Sequence, residues 1–381
     1  MSPRVYAIVT TAHGYGHATR QLEVIRALLT RDPEARVALL TAAPPAVVHN
    51  YLGDEPAIAS RVTIEPLSAD VGLVQHDGLR MNAEATLAAL DARFGDEARA
   101  VADMADRLAA HRPSVVLADI PPVVFPAAAK LSVPAVGISN FDWAFIYGCY
   151  ARQNAAFARW EQLFLRWQGE ATLGIHLDPG PPLQGFREVV SVAPLARRKV
   201  GDVAAIRRAL DIPPGHKAVL ASFGGCGLDE ADRRIPRIEG VTWLLAPPML
   251  DLHRSDTRFA PEVPFVTLLA AADAVFMKPG YGTVCEAAYH RTRMLYTDRG
   301  DFPEYEYLVA WMEREAPCVH VPSHLLGTET GAQAIADGLE RLFALPERWP
   351  ASMSGAEEVA QIIERAAIGG SPGEPFDSLN Y

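Results

Sequence analysis

Short runs of β-branched and apolar residues alternate along this chain with segments of helical period, and this alternation limits the fold more than any other feature. In the first half the strand-like runs are residues 5–10, 36–41, 62–65, 115–118 and 135–139, and the helical segments are residues 19–30, 84–111, 123–131 and 143–167. Strands that alternate with helices in this way form parallel α/β sheets. The first half is therefore predicted to be one doubly wound domain.

The same alternation returns in the second half. Strand-like runs there cover residues 217–223, 242–246, 265–267, 274–277, 294–297 and 318–321. A chain of 381 residues also exceeds what one hydrophobic core usually supports. The predicted fold class is α/β, with two Rossmann-like domains whose boundary lies near residues 185–200. Because ligands bind at the carboxyl ends of parallel strands, we expect the chemistry on strand-to-helix loops that face a cleft between the domains.

Composition excludes several classes of partner. Lys and Arg total 35 and Asp and Glu total 46, so the formal net charge is −11 and nucleic acid is not an expected substrate. The 4 cysteines form no Cys-x-x-Cys pair and are too few for a disulfide framework. The N-terminus lacks a signal-peptide pattern, and no apolar segment reaches the ~18–20 residues of a membrane span. We expect a cytoplasmic protein without integral membrane association.

The loop after the first strand carries the sequence Thr-Ala-His-Gly-Tyr-Gly-His-Ala-Thr-Arg at residues 11–20. Its glycines permit a tight turn that presents His17 at the start of the next helix. An imidazole has a pKa near ~6.5, so it can take a proton from an acceptor hydroxyl or amine. We interpret His17 as a general base, the alternative being a structural histidine. For His13 the structural role is the preferred interpretation.

Asp119 follows the strand-like run 115–118 and is the candidate partner of His17. A carboxylate beside a catalytic histidine fixes its tautomer and stabilises the imidazolium that forms. Both residues are expected at carboxyl ends of strands in the same sheet. Asp119 can instead cap the following helix, since Pro121 and Pro122 are typical of a helix start. The sequence leaves both roles open.

A second motif, Lys-Pro-Gly-Tyr-Gly-Thr-Val-Cys-Glu, occupies residues 278–286 after another predicted strand. Backbone amides freed by Gly280 and Gly282, the helix N-terminus and the Thr283 hydroxyl can cradle a diphosphate. The Glu286 carboxylate, one turn into the helix, can accept hydrogen bonds from two ribose hydroxyls. In the alternative interpretation this is a Gly-rich turn in which Glu286 caps the helix start.

Two weaker motifs lie in the same half. Ser222 stands just before Gly224 and Gly225, where close backbone approach can supply a second wall for the same anion. Residues 298–304 carry carboxylates that can hold sugar hydroxyls, although an acidic surface turn explains them nearly as well. The chain contains no Asp-x-Asp triplet and no zinc-site spacing. We therefore expect neither a metal nor a cofactor, and we expect amides, a helix dipole and Lys278 to neutralise a leaving diphosphate.

These motifs, in this order and on these two halves, resemble the GT-B glycosyltransferases, close to the peptidoglycan N-acetylglucosaminyltransferase and to UDP-glycosyltransferases. The resemblance covers nearly the whole chain and is most specific at residues 278–286, where the family binds the donor diphosphate and ribose. Gly16 and His17 match the family's Gly-His, whose histidine is the usual base in inverting members. Asp119 falls where plant members place the carboxylate partner of that base.

The resemblance also implies a domain layout. Segment 189–198 resembles the interdomain connector, and the implied parts are an N-terminal acceptor-binding domain (1–188), a C-terminal nucleotide-sugar-binding domain (189–354) and a helix that crosses back to the first domain (355–368). Residues 369–381 are rich in Gly, Pro and Ser and are expected to form a flexible tail. Phe265 and Val266 correspond to the strand end that contacts the uracil ring, and Asp301 and Glu304 correspond to the loop that touches the donor sugar. Together the expected donor-binding residues are Gly16, Ser222, Gly224, Gly225, Phe265, Val266, Lys278, Gly280, Tyr281, Gly282, Thr283, Glu286, Asp301 and Glu304.

Two local similarities and one departure refine this picture. Residues 139–147 look like the glycosyltransferase-like portion fused to kinases in plant arabinokinases, and Gly14-x-Gly16-His17-x-x-Arg20 resembles nucleotide-sugar hydrolases of the same fold. The longer donor signature of plant members, with a Trp and a terminal Gln, is missing here. The resemblance therefore does not carry the identity of the donor sugar to this chain.

The sequence thus predicts a metal-independent, inverting glycosyltransferase that uses a UDP-sugar as co-substrate. His17 and Asp119 are the expected catalytic residues, and a small-molecule acceptor is expected to contact His13, Tyr15, Asn140, Asp142 and Trp143. Core packing is the competing interpretation for at least half of the aromatic residues between 141 and 150. A nucleotide-sugar hydrolase, a non-catalytic sugar-nucleotide-binding protein and an epimerase are the alternative functions.

Overall fold

The computed structural model describes residues 3–11, 15–74, 81–198, 201–223, 235–299 and 302–368. The chain divides into two compact units. The first unit comprises the residues up to Leu195 and those from Ser354 onward, and the second comprises Ala196–Met353. Each unit contains one parallel sheet with helices, which confirms the predicted α/β class with two Rossmann-like domains.

The sheet of the first unit has seven strands, all parallel: β1 (Val5–Thr10), β2 (Arg36–Thr41), β3 (Val62–Pro66), β4 (Val115–Asp119), β5 (Ala135–Ser139), β6 (Leu173–Leu177) and β7 (Val189–Val192). Their order across the sheet is β3-β2-β1-β4-β5-β6-β7. Strands β1 to β5 follow the predicted runs to within one residue. The central strands β4 and β5 are buried along their whole length, which explains why they stand out in the sequence as continuous apolar runs.

Strands β6 and β7 were not predicted from the sequence. Gly174 and His176 interrupt the apolar run of β6. In the structure there is no room for a side chain at position 174, because a Cβ there would lie 2.7 Å from Cγ of the Phe186 ring. Strand β7 lies inside the segment that the resemblance assigned to the interdomain connector, yet it pairs with β6 and completes the first sheet.

The helices between these strands are α1 (Tyr15–Arg31), α2 (Pro45–Leu52), α3 (Pro56–Ala59), α4 (Ala83–Phe94), α5 (Glu97–His111), α6 (Val124–Lys130), α7 (Trp143–Ala151) and α8 (Ala158–Gln168). The predicted single helix over residues 84–111 is two helices. The chain breaks at Gly95, and the Asp96 side chain then caps α5 by accepting a hydrogen bond from the Arg99 backbone N–H at 3.0 Å.

The second unit has six parallel strands, β8 (Lys217–Ser222), β9 (Val241–Leu245), β10 (Thr257–Phe259), β11 (Ala274–Met277), β12 (Arg293–Tyr296) and β13 (Cys318–His320). They are arranged in the order β10-β9-β8-β11-β12-β13. The α-helices among its described residues are α9 (Val203–Ala209), α10 (Phe265–Ala271), α11 (Tyr281–Tyr289), α12 (Tyr305–Glu315) and α13 (Glu329–Ala344). The strand order is the 3-2-1-4-5-6 order of a doubly wound fold, the same order as strands β3 to β6 of the first sheet.

The prediction of a strand at residues 265–267 was wrong. This segment is the first turn of α10, and the strand that fills that place in the sheet is the short β10. Pro264 stands at the helix N-cap, and the apolar run continues through Ala271, which is long enough to bury one side of a helix. A short apolar run does not by itself distinguish a strand from a buried helix.

The last helix, α14 (Gly355–Ala367), belongs to the first unit. It packs beside α1, where Arg31 donates a hydrogen bond to the Glu364 carboxylate at 2.9 Å. Near its start, the Glu358 carboxylate accepts a hydrogen bond from the Ala193 backbone N–H at 3.2 Å. None of the helices within the described ranges combines the length and apolarity needed to cross a bilayer.

Candidate active site

The strand order places one crevice at the carboxyl edge of the first sheet. Strands β1 and β4 are neighbours, but the chain leaves them toward opposite edges of the sheet. Such a switch point is where open α/β sheets bind their ligands. The Thr11 backbone N–H donates to the Asp119 carbonyl at 2.7 Å, so the loop after β1 begins beside the end of β4. His17, in the first turn of α1, and Asp119, the last residue of β4, therefore border this crevice.

Asp119 is fully buried and its carboxylate accepts four hydrogen bonds. His17 Nδ1 lies 2.7 Å from Oδ1, Arg20 donates through Nη2 at 2.6 Å and through Nε at 2.8 Å, and Gln21 Nε2 donates at 2.7 Å. Burial alone would raise the pKa of Asp119, but the charges and hydrogen bonds of Arg20 and His17 outweigh it and hold that pKa well below its ordinary value. The helix that follows has Val123 at its N-cap, so Asp119 pairs with His17 and is not a cap.

His17 lies in the first turn of α1 and is 9% exposed. With Nδ1 directed at Asp119, the Nε2 atom is the nitrogen left for a substrate, provided that the proton of the neutral ring is on Nδ1. The negative charge of the carboxylate favours that tautomer. The ring also contacts Phe141 edge-on, with ring centroids 5.6 Å apart. The imidazole is thus fixed on one side and accessible over a small area.

Arg20 is the site residue that the interpretation of the sequence did not assign to catalysis. It is 5% exposed, and besides Asp119 it donates to Asn140 Oδ1 at 2.6 Å and to Ser139 Oγ at 3.2 Å. Its Nη2 atom also lies 3.0 Å from His17 Nδ1. The spacing of three residues from His17 on a helix was the available signal, because residues at i and i+3 share a helix face.

The proposed acceptor residues are placed unevenly. Asn140 is buried at the crevice and binds Arg20. Trp143 is 1% exposed and donates through Nε1 to Asp70 Oδ2 at 2.7 Å, so its ring is part of the core and does not line an open pocket. Asp142 is the N-cap of α7, where Oδ1 accepts from the Phe145 backbone N–H at 2.7 Å. His13 and the side chain of Tyr15 lie outside the described residues.

The Asp142 side chain also has an unsatisfied oxygen. Its Oδ2 atom and Gln168 Oε1 are buried without a hydrogen-bond partner in the described part of the chain, and both side chains line a small cavity of about 10 Å³. Burial raises the pKa of Asp142 to about 6, against the opposing hydrogen bond from the Phe145 N–H. Burial therefore makes the uncharged form of Asp142 the main form in the folded protein below about pH 6, and above it the buried carboxylate is charged at a cost in stability.

Asp142→Asn is expected to stabilise the protein at pH 8. The pKa of Asp142 is raised from 3.8 to about 6 on folding, so the contribution of this group to stability is most favourable below pH 4 and is lost as the pH rises through 6. At about 1.4 kcal/mol per pKa unit, the free energy of unfolding at pH 8 should rise by up to about 3 kcal/mol, while near pH 4 the two proteins should agree. Urea unfolding at both pH values measures this. Asp96→Asn, at the exposed N-cap of α5, should change stability at neither pH, and a pH-independent Asp142→Asn effect would contradict the prediction.

The second unit has a matching crevice between β8 and β11. The Lys278 backbone N–H donates to the Ser222 carbonyl at 3.2 Å, so the loops after these two strands lie side by side. Helix α11 begins at Tyr281 and directs its first backbone amides to the same edge. Lys278 and Thr283 are partly exposed there, and the Tyr281 ring is buried. Gly224 and Gly225, which were expected to form the opposite wall, lie outside the described residues.

Two glycines at helix starts, Gly16 and Gly282, lie in open space among the described residues. A Cβ built on either one meets no described atom within 4 Å, and both residues are helical. Gly240, in contrast, has open space but a φ of 73°, which L-residues avoid. Within the described part of the chain, both positions have room for a methyl group.

Glu286 is 3% exposed and its carboxylate is held by an arginine. Arg197 donates to Oε1 through Nε and to Oε2 through Nη2, the second at 2.9 Å. His290, one turn further along α11, lies with Nε2 3.1 Å from the Arg197 carbonyl oxygen. The N-cap of α11 is Gly280, so Glu286 does not cap the helix. Each carboxylate oxygen has a second lone pair that can accept a hydrogen bond in addition to the one from Arg197.

Among the remaining candidate donor-binding residues, some are buried and others lie outside the described residues. Glu304 is 2% exposed and accepts a hydrogen bond from Arg299 Nη1 at 2.6 Å, whereas Asp301 lies outside the described residues. Phe265 and Val266 begin α10, and Val266 is 2% exposed. Their predicted role rested on a strand end that is not present at that position. In the ranges covered by the structure, His, Cys, Asp and Glu side chains form no group of three or more that could hold a metal ion.

Comparison with known proteins gives relatives of two kinds. No protein-family model matches the chain. Among curated proteins, L-arabinokinase of Arabidopsis thaliana is 27% identical over 382 residues, which cover 96% of this chain and 34% of that protein. The chain therefore spans about a third of the relative's length. This similarity agrees with the resemblance seen at residues 139–147.

Solved structures of glycosyltransferases match along nearly the whole chain. The calicheamicin glycosyltransferase CalG4 is 16% identical, with a TM-score of 0.59 and coverage of 98% of this chain and 96% of that one. A UDP-glucosyltransferase from Polygonum tinctorium is 15% identical, with a TM-score of 0.60 and coverage of 98% and 97%. UGT89C1 of Arabidopsis thaliana, solved with UDP-L-rhamnose, is 16% identical, with a TM-score of 0.59 and coverage of 96% of both chains. The chain has the GT-B fold, as the resemblance predicted.

Proposed function

We propose that this protein is a glycosyltransferase that moves a sugar from a UDP-sugar to a small-molecule acceptor. The observation that carries the proposal is the buried His17–Asp119 pair, with Nδ1 and Oδ1 2.7 Å apart, at the switch point of a GT-B domain. The use of UDP-sugars is taken from the fold relatives, of which UGT89C1 was solved with UDP-L-rhamnose. The second crevice, with its glycines at the start of α11, is the proposed donor site.

In the proposed mechanism His17 is the general base. Asp119 keeps the ring proton on Nδ1, and Nε2 takes the proton of the acceptor hydroxyl or amine as that atom attacks the anomeric carbon. The bond between the anomeric carbon and the diphosphate breaks, and UDP leaves. A single displacement of this kind inverts the anomeric configuration. No second carboxylate is required at the reacting carbon, unlike the paired carboxylates of glycosidases.

The diphosphate is proposed to bind without a metal. The first amides of α11 and the partial positive charge of its N-terminus are the proposed anion contacts, with Lys278 beside them. Glu286 is the proposed acceptor for the ribose hydroxyls, held in place by Arg197. These assignments use the residues at the carboxyl edge of the second sheet and no cofactor.

Gly282→Ala is expected to weaken donor binding without weakening the fold. The added methyl group meets no atom of the described residues but occupies the space proposed for the diphosphate. Stability should stay the same or rise by up to about 1 kcal/mol, because alanine suits a helix better than glycine. The dissociation constant for UDP should rise at least about tenfold, a cost of about 1.4 kcal/mol.

Gly240→Ala is the matched control for this substitution. Its φ of 73° makes alanine strained, and it lies in the turn before β9, at the amino edge of the sheet. It should lower the thermal stability and leave UDP affinity unchanged. Titration calorimetry and thermal denaturation of both variants separate the two effects. Equal UDP affinity in wild type and Gly282→Ala would contradict the proposed diphosphate site.

UDP release from a panel of sugar nucleotides tests the function itself. The panel should contain UDP-glucose, UDP-N-acetylglucosamine, UDP-L-rhamnose and UDP-L-arabinose, each with and without a pooled extract of small molecules. Release that depends on the extract supports transfer and provides an assay for isolating the acceptor. No UDP binding and no release with any donor would refute the proposal, whereas binding without turnover would favour a non-catalytic sugar-nucleotide-binding protein.

A nucleotide-sugar hydrolase is the second candidate. The position of Arg20 favours it, because the motif Gly14-x-Gly16-His17-x-x-Arg20 resembles such hydrolases and Arg20 directly contacts the carboxylate of the proposed dyad. In a hydrolase, His17 would deprotonate water in place of an acceptor. UDP and free sugar released at full rate without any extract would select this function over transfer.

A further inference from the structure

Arg299 lies beside the proposed diphosphate site. It follows β12, which is the direct neighbour of β11, so the loops after both strands share one edge of the sheet. Its Nη1 atom is 4.0 Å from the position that a Cβ on Gly280 would occupy. Gly280 is the N-cap of α11. The guanidinium is therefore at the start of the helix whose amides are proposed to bind the donor phosphates.

The Arg299 side chain is fixed in this place. Nη1 donates to Glu304 Oε1 at 2.6 Å, and the guanidinium carbon lies 4.5 Å from the centroid of the Phe302 ring. The Arg299 side chain is 23% exposed, and the Glu304 side chain is 3% exposed. Among the described residues, Nε and Nη2 of Arg299 have no acceptor. A cation held on one edge, with donors left on the other, is a preorganised site for an oxyanion.

We propose that Arg299 binds the terminal phosphate of the nucleoside diphosphate and that Glu304 is its positioning residue. This inference rests on the proposed function and deepens it. When UDP leaves, negative charge develops on that phosphate, and a guanidinium placed beforehand stabilises it. Independently, a Cβ on Gly282 would meet no described atom within 4 Å, so the described residues leave space for a phosphate beside the start of this helix.

The proposal gives Glu304 a role different from the one that the resemblance implied. Glu304 is buried at the start of α12, and its Oε1 atom is occupied by Arg299. Its negative charge fixes the guanidinium, so it acts on the donor through Arg299.

Binding of UDP, UMP and uridine to wild type and variants tests this inference. Arg299→Ala should raise the dissociation constant for UDP about 10- to 100-fold, the loss expected for one charge-assisted contact, and should leave uridine affinity unchanged. The loss for UMP should be smaller than the loss for UDP. Arg299→Lys should recover only part of the UDP affinity, because the ammonium keeps the positive charge but lacks the planar pair of donors of a guanidinium. Glu304→Gln should also weaken UDP binding relative to uridine binding, as Arg299→Ala does.

Arg293→Ala is the control for a purely structural arginine. Arg293 stands at the opposite end of β12 and donates to the Leu342 and Leu345 carbonyls at 3.0 and 2.8 Å. Its loss should lower the thermal stability without changing the ratio of UDP to uridine affinity. If Arg299→Ala does not fold, Arg299→Lys and Glu304→Gln carry the test.

The outcomes separate the inference from the proposed function. A wild-type protein that binds no UDP refutes the function and the inference with it. Wild type that binds UDP normally, with variants that keep the same UDP and uridine affinities, refutes only the role of Arg299. An effect confined to UDP-glucuronic acid and absent with UDP would overturn the phosphate assignment, because it would place Arg299 at a sugar carboxylate.

Discussion

His17→Ala is expected to lower kcat about 10²- to 10⁴-fold, the usual contribution of a positioned general base, and to leave the KM for the donor nearly unchanged. His17 Nδ1 is 2.7 Å from Asp119 Oδ1, and the carboxylate belongs to a neutral set with Arg20. The ring is thus oriented for proton transfer through Nε2 and makes no proposed contact with the nucleotide. Initial rates with a donor and acceptor identified in the release assay measure both constants.

His111→Ala provides a matched control for that experiment. His111 Nε2 lies 2.7 Å from Glu65 Oε2, which is a second histidine–carboxylate pair in the same unit, on α5 and away from the crevice between β1 and β4. Its replacement should leave kcat within about twofold of wild type, as expected for a pair that makes no contact in the transition state. Full turnover by His17→Ala would remove His17 from the chemistry. A rise in donor KM with unchanged kcat would instead make it a binding residue.

Arg20→Met is expected to lower the free energy of unfolding at pH 7.5 by about 3–5 kcal/mol, the cost of leaving a buried charge without its partner. The methionine approximates the volume of the arginine stem but leaves the fully buried Asp119 with only His17 and Gln21. Arg31→Met on the same helix is the control, since its bond to Glu364 is partly exposed, at 37% and 20% for the two side chains. Such pairs contribute about 0–1 kcal/mol.

The loss of unfolding free energy caused by Arg20→Met should be smaller at acidic pH. In wild type the pKa of Asp119 is below its ordinary value, so this carboxylate stabilises the fold at pH above its unfolded pKa and loses that contribution only as the pH falls through its folded pKa. Without the guanidinium, burial raises the pKa of Asp119, and the group can take up a proton on mild acidification. Urea unfolding at pH 7.5 and pH 4.5 compares the two states. An equal deficit at both values would show that lost packing, and not the unpaired charge, is responsible.

The sequence by itself determined the α/β class, most of the strands and the loops on which the candidate chemistry lies. These features are local: a buried parallel strand needs a continuous apolar run, and a strand-to-helix turn needs glycines in a short window. His17, Gly280 and Gly282 were found for this reason. Segment 265–271 was misassigned because a short apolar run fits a strand and a buried helix equally well. Strand β6 was missed because Gly174 interrupts its apolar run, and the reason for that glycine, the close Phe186 ring, is visible only in the structure.

Only the tertiary structure decided which side chains act together. Asp119 can pair or cap on sequence grounds, and it pairs because β1 and β4 are neighbours in register, with Thr10 opposite Asp119. The structure also decided that Arg197 binds Glu286, that Arg299 binds Glu304 and that Trp143 is buried. The pairs Arg20–Asp119 and Arg197–Glu286 join residues 99 and 89 positions apart. Periodicity in the sequence predicts which face of a helix or strand a residue lies on. The residue that it contacts depends on the order of the strands in the sheet, and a short stretch of sequence does not determine that order.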